Sequence, residues 1–227
     1  MTREQVLDAA DAVARREGID RLTVRAICAE LGVTQPAVYR HFSTKAEIVE
    51  LVIDRVIERM ELPGPEVGDW VARLRQCFIS AHDEVAPYGG LAARMGREMP
   101  RSPAAERNSA YLAELLGGAG IGKDDWLRIA WAVFVYTWGH LLTAQAAAST
   151  FGTTADRDAQ REQFLWGLDH LLASFRRAVE EGEFLRAPST PGRPSTSGRP
   201  STPRSSSTPR SRRPGAPKGR RATRDGR

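Results

Sequence analysis

The stretch Leu22–Lys45, LTVRAICAELGVTQPAVYRHFSTK, limits the possible folds of this chain more than any other. Its spacing predicts two short helices joined by a tight turn, then the start of a third. Thr23 is placed to cap the first helix, with Leu22 and Ile27 at the positions of a hydrophobic staple. Ala26, Ile27 and Leu31 give that helix one apolar face, and Gly32 stops it. Only Gly32 and Val33 intervene before Thr34 offers the next N-cap, with Val33 and Val38 as its staple. Pro36 falls in the first turn, where a missing backbone N–H costs little. The segment Gln35–His41 is then a helix too short to hold a core of its own. Val38 and Phe42 anchor it. Gln35, Ala37, Tyr39, Arg40 and His41 are left facing outward at the end that precedes Lys45.

A short helix pinned by two apolar residues, with donors on its other face, suits insertion into a DNA major groove. The local charge agrees: residues 21–45 carry Arg21, Arg25, Arg40 and Lys45 against Glu30 alone. A generic helical hairpin with a solvated polar face would share these features, and the detailed wording separates the two. The run TVRAICAELGVTQPAVYRHFSTKAEI resembles the DNA-binding region of the TetR family of bacterial transcriptional regulators. That family's pattern is a helix beginning T-x-R-x-[IL]-A, then LGV, two or three residues, a [VL]-Y-x-[HY]-F run, and [ST]-K opening the next helix. Cys28 departs from it, standing where the family has a small Ala. The resemblance covers residues 1–60; beyond them it rests on helical layout alone.

A chain of 227 residues has room for one or two small domains. Its two cysteines, Cys28 and Cys77, both fall at apolar positions of helical patterns and read as buried free thiols of a reducing cytoplasm. No signal peptide pattern opens the chain. The net charge of +5 conceals a split, because the segment from Ala187 onward holds ten Arg and one Lys against one Asp. The body is therefore mildly acidic. Bulk charge says little about nucleic acid, and the motif must carry that reading.

All the remaining patterns are helical, and the predicted fold class is all-α. Residues 2–17 form a first helix, opened by a Thr2–Gln5 capping box and closed by Gly18. It would pack across the motif to make a three-helix DNA-binding unit. A second capping box, Thr44 with Glu47, opens a fourth helix running to about Met60, with Ile48, Val49, Val52 and Val56 on its apolar stripe. That helix bridges to the rest of the chain, and Leu62-Pro63-Gly64-Pro65 marks the boundary. Later helices are expected from Trp70 to Val85, Gly90 to Arg97, Ser102 to Gly117, Asp124 or Asp125 to about Ser149, and Ala155 to Glu181. The predicted domains are residues 1–60 for DNA, 61–186 for effector binding and dimerisation, and 187–227 as a disordered basic tail. In that tail GRPST and STPR each recur at a six-residue shift, and no apolar residue offsets the cost of ordering. It is either an arm that binds phosphates without reading sequence or a solvated extension.

Residues 129–148 carry no formally charged side chain, which reaches the length of a membrane span. Gly139, His140 and Gln145 make that reading costly in lipid, and burial on all sides of a helical protein is preferred. Together with the stripe Phe164, Leu168, Leu171, Leu172 and Phe175 on the last helix, it offers more apolar surface than one small domain uses. A four-helix homodimer interface follows, as the resemblance also implies.

The four histidines are spread through the chain, and no HExxH, paired Cys or ligand-spaced carboxylates accompany them. An enzyme is not expected, nor a metal or other cofactor. Trp131, Tyr136, Thr137, Trp138, His140 and Gln145 place aromatic and polar groups on one apolar helix, with Tyr88, Met95 and Tyr111 as possible facing residues. They suit a small-molecule pocket or a satisfied core. Trp131, Thr137, Trp138 and His140 are the effector-pocket candidates, and the pocket itself is implied by the resemblance. The expected DNA contacts are Arg25, Thr34, Gln35, Pro36, Ala37, Tyr39, Arg40, His41 and Lys45. The expected protein is a cytoplasmic homodimeric repressor whose partners are operator DNA, a second copy and a small-molecule effector, with no membrane partner. An activator and an effector-independent DNA-binding protein are the alternatives.

Overall fold

The caps read from the sequence set the starts of most helices in the computed structural model, which describes residues 1–151 and 157–183. The described elements are α1 (Arg3–Glu17), α2 (Val24–Leu31), α3 (Gln35–Tyr39), α4 (Lys45–Glu58), α5 (Trp70–Val85), α6 (Leu91–Arg97), α7 (Pro103–Gly118), α8 (Lys123–Phe151) and α9 (Arg157–Glu180). Single 3-10 turns at Ile19–Arg21 and Pro65–Val67 complete them. Among the described residues there is no strand, as expected of an all-α chain. The basic segment from Ala187 onward and the expected helix start at Ala155 lie outside the described residues.

Thr2 and Gln5 form the reciprocal capping box at the head of α1. Thr23 caps α2 through the N–H of Ala26, and Gly32 ends it in the left-handed conformation at φ 65°. Two side-chain cores follow from the helical stripes. In the first, Val6 and Val13 of α1 pack with Ile27, Val38, Ile48 and Val52 of α2–α4. That core does not stop at α4; it continues into Val85, Tyr88, Leu91 and Met95. The second gathers Leu74 and Phe78 of α5, Leu116 of α7, Ile129 and Val133 of α8, and Phe164 and Leu168 of α9. Phe134 packs against both.

Four local expectations are corrected. The third helix ends at Tyr39 instead of His41, because the His41 N–H turns back onto the Val38 carbonyl and delivers Phe42 into the core. Thr34 has the extended backbone of an N-cap, yet its hydroxyl makes no cap bond. Glu47 accepts from the Ser43 N–H at 2.8 Å while Thr44 caps the Glu47 N–H at 3.1 Å, so the box is widened by one residue. The eighth helix starts at Lys123, with the Gly122 carbonyl taking its first bonds, and Asp124 and Asp125 occupy the first turn, where they complement the helix dipole.

Within a single chain α8 leaves one side open. Ile129, Val133 and Thr137 are enclosed by α5 and α9, but Leu127, Trp131, Val135 and Leu142 are exposed along one side. No described helix is long and apolar enough to cross a membrane.

Candidate nucleic-acid interface and the cavities behind it

Val38 and Phe42 are essentially fully buried and fix the short helix α3 from beneath, as the sequence anticipates. Gln35, Pro36, Arg40, Thr34 and Lys45 are exposed, Tyr39 is 45% exposed, and Ala37 and His41 are half-buried. Arg25 lies exposed in the first turn of α2. The nine expected contact residues lie at the start of α2, at the N-cap and outer positions of α3 with the turn after it, and at the first residue of α4, and none of them is buried.

The charge on this surface is not neutralised. Arg3, Arg15, Arg16, Arg55 and Arg59 each pair with a carboxylate elsewhere in the N-terminal half. Arg25, Arg40 and Lys45 take part in no ion pair among the described residues, so their charge faces outward. Unneutralised cations beside an exposed helix are what phosphate contact requires.

Arg3 is a functional residue that the sequence reading missed. Its guanidinium donates to the His41 carbonyl at 3.0 Å, pairs with Glu47 at 3.0 Å and stands 4.5 Å over the Phe42 ring. It braces the turn that aims α3. Only the contacts show this, because these partners lie about forty residues away in sequence. The Glu47 carboxyl is held below its ordinary value, first by the Ser43 N–H and then by Arg3.

Behind this surface the C-terminal end of α4 is clamped twice. Arg55 pairs with Asp8 at 2.9 Å and with Glu4. Arg59 donates to Glu84 at 2.8 Å and to the Tyr88 hydroxyl at 2.6 Å. Tyr88 is fully buried; its hydroxyl donates to Asp11 at 2.7 Å and also accepts from Arg15 at 2.8 Å. Burial, reinforced by Asp11, pushes this phenol up to about 12. One hydroxyl thus ties α1, α4 and the segment after α5 together.

The four effector-pocket candidates do not converge. Trp131 is 60% exposed and stacks on Phe134. Together they line an apolar groove of about 560 Å³ with Phe78, Leu112 and Trp126. Trp138 is buried on the other side of Phe134, with its Nε1 unpartnered. Thr137 is fully buried and donates to the Val133 carbonyl of its own helix at 2.9 Å. His140 instead faces α5 and α9, near His82 and Phe164. It lines a separate cavity of about 540 Å³. Of the suggested facing residues, Tyr88 joins the node above, Met95 is in the first core, and Tyr111 donates to the Pro63 carbonyl at 2.6 Å. A 3.6-residue stripe spreads side chains around a helix, and their neighbours decide which space each one meets.

Burial lowers the affinity of both His82 and His140 for a proton. Asp83 partly opposes this at His82, and the nearby His82 adds to it at His140. Both cysteines are buried free thiols, and burial pushes Cys77 up to about 12. Among the described residues no group of three or more His, Cys, Asp or Glu is placed to hold a metal ion.

Two short helices joined by a tight turn, the second pinned from beneath and exposed beside unpaired cations, form a helix-turn-helix. Residues 6–52 match the family model described as bacterial regulatory proteins, tetR family. An HTH-type transcriptional regulator from Saccharopolyspora erythraea is 27% identical over 189 residues, covering 79% of this chain and 71% of the relative. The class D tetracycline repressor protein from Escherichia coli is 26% identical over 198 residues, covering 77% of this chain and 89% of the repressor. In structure, a TetR variant from Acinetobacter baumannii, solved in complex with minocycline, superimposes with a TM-score of 0.65 at 26% identity. That superposition covers 78% of this chain and 97% of the variant. Residues 6–52 are thus similar to the DNA-binding region of the TetR family of bacterial transcriptional regulators, and the described fold is similar to that of a solved TetR.

Proposed function

We propose that the protein is a homodimeric repressor that binds a palindromic operator and leaves it when a small-molecule effector binds. The observation that carries the DNA reading is the surface around α3, where buried Val38 and Phe42 hold the helix from beneath and Arg25, Arg40 and Lys45 stand exposed and unpaired. In this reading Arg25 and Gln35 reach base edges, for which both side chains have bidentate geometry. Tyr39, His41, Thr34 and Lys45 meet phosphates, and Pro36, Ala37 and Arg40 complete the contact face. Residues 1–60 read DNA, and residues 61–186 bind the effector and the second copy. The exposed stripe Leu127, Trp131, Val135 and Leu142 on α8, with Trp166 on α9 at 65% exposure, supports dimerisation. An apolar surface of this kind is stabilised by pairing with its own copy. The minocycline complex of the similar TetR supports a small-molecule effector.

Selection of bound sequences from random DNA with the purified full-length chain tests this reading. The expected product is an inverted repeat whose half-sites lie about one helical turn, roughly 34–36 Å, apart. Absence of any enriched sequence would remove the DNA-binding reading, and a single unrepeated half-site would remove the dimer. A promoter fusion then gives the sign of regulation: deletion of the protein should raise expression, whereas a fall would make it an activator.

A further inference from the structure

The cavity that His140 lines has an unexpected second wall. One side is formed by His82 of α5, His140 and Gln145 of α8, and Gln160 of α9; the other is the end of α1, from Arg15 to Gly18. We propose that this cavity, between the end of α1 and helices α5, α8 and α9, binds an uncharged, hydrogen-bonding small molecule whose presence disengages α1 from the segment 86–90. The proposal rests on the DNA-binding reading above and names the site and chemistry of its effector.

Size and charge define the ligand class. About 540 Å³ is the volume of an ordinary small-molecule site. Three arginines and three carboxylates line it, Arg15, Arg16 and Arg161 with Glu17, Asp83 and Asp158. The guanidiniums are engaged: Arg161 forks onto Asp83 at 2.7 and 3.0 Å, Arg15 holds Tyr88, and Arg16 pairs with Glu30 at 2.9 Å. A charged ligand would have to break one of these pairs, while an uncharged one would not. The rest of the polar lining is neutral: the imidazoles of His82, held by Asp83 at 3.1 Å, and His140, with the side-chain amides of Gln145 and Gln160. His140 Nδ1 is buried without a hydrogen-bond partner, so a donor reaching it would satisfy an atom that the protein leaves bare.

The consequence for α1 follows from the cavity floor. Gln145 grips the segment after α5 from both sides, accepting from the Gly90 N–H at 3.2 Å and donating to the Tyr88 carbonyl at 3.3 Å. Between those two residues, Gly89 accepts from the Ile19 N–H at 2.8 Å. A ligand that competes for the Gln145 amide loosens this grip and with it the hold on α1, on which α2 and α4 pack. Coupling of this sort requires only that the ligand favour the loosened arrangement.

Ala144 lines the cavity and allows a test with a defined occupant. Full-length Ala144→Cys is alkylated with N-phenylmaleimide, which is uncharged, and compared with exposed Ala110→Cys treated alike; the native thiols are buried. Labelled Ala144→Cys should bind the selected operator at least tenfold more weakly than the unlabelled variant, with unchanged helical content. The Ile19 amide should also lose protection from hydrogen exchange. The labelled control should change in neither. Unaltered affinity and exchange after full labelling would overturn the proposal, as would failure of the thiol introduced in Ala144→Cys to react. Faster Ile19 exchange with unaltered operator affinity would overturn the link to DNA. If no variant binds any DNA, the functional reading fails, and the exchange measurement still decides whether the cavity acts on α1.

Discussion

The N–H of Ile19 donates to the carbonyl oxygen of Gly89 across 2.8 Å, joining the turn after α1 to the turn after α5. The approach is this close because Gly18 has no side chain. Its φ is 95°, and a Cβ there would lie 2.9 Å from the Gly89 oxygen. Seventy residues of chain separate the two turns, so the contact records how the DNA-reading helices are seated on the rest of the molecule.

Substitution of that glycine should be costly for two separate reasons, strained backbone and collision with a main-chain atom. Gly18→Ala is expected to lose about 1–3 kcal/mol of stability. Gly32→Ala provides the comparison, since φ there is 65° but nothing lies within 4 Å of the added carbon. It should cost only about 1 kcal/mol. Equal losses in urea titrations would mean that the Gly18–Gly89 approach contributes nothing.

The Tyr88 hydroxyl serves Asp11, Arg15 and Arg59 at once. Tyr88→Phe keeps the ring and leaves those groups short of a partner, so a loss of about 1–3 kcal/mol is expected. Equilibrium unfolding measures it, and a stability equal to wild type would show that water replaces the hydroxyl.

Two pH effects have defined signs. His82 and His140 are harder to protonate in the fold than at their ordinary value of 6.5. The unfolded chain therefore takes up protons first, and stability should fall as the pH drops below 6.5, levelling once the folded-state values are passed. Thermal melts between pH 7.5 and 5 read this. A flat profile, or one identical in His82→Asn, would contradict the cause assigned here.

Glu47 acts in a lower window. Its folded value lies below 4.5, so its contribution is complete above 4.5 and disappears as the pH falls through that lowered value. Glu47→Gln should shift the acid limb of unfolding to higher pH and, by releasing Arg3, weaken operator binding at neutral pH. Retained affinity would show that Arg3 aims α3 without help from Glu47.

At the proposed interface the residues should separate by type. Arg25→Ala or Gln35→Ala should cost about 1–3 kcal/mol and relax preference at particular base pairs. Lys45→Ala should weaken all sequences alike and reduce the salt slope by about 1. The basic segment from Ala187 onward can be tested in the same titrations: truncation after Arg186 flattens the salt dependence if it contacts phosphates and leaves it unchanged if it does not.

Helix identity and most helix starts were legible because caps and stripes are local. Thr2, Thr23 and Ser102 cap helices through N–H groups three residues away, and such signals need no tertiary context. The burial of Val38 and Phe42 was legible for the same reason. What escaped depends on distant neighbours. The shortening of α3 follows from where the core draws Phe42, and the brace by Arg3 from the packing of α1 on α4. The Tyr88 node joins residues 11, 15, 59 and 88. The scatter of Trp131, Thr137, Trp138 and His140 around α8 was hidden because periodicity gives a face but not what lies opposite.

The continuity of the first core past α4 bears on how such a protein can be re-engineered. Val85, Tyr88, Leu91 and Met95 belong to the same packed cluster as Val6 and Val13. The head that reads DNA is therefore not a cassette that ends at Met60. A chimera grafting residues 1–60 onto another regulator would bring Asp11 and Arg59 without their tyrosine, and a hydrophobic underside with no matching cover. A transplantable piece has to bring its own seat, the segment from Ala81 to Met95, or a recipient whose body already supplies one.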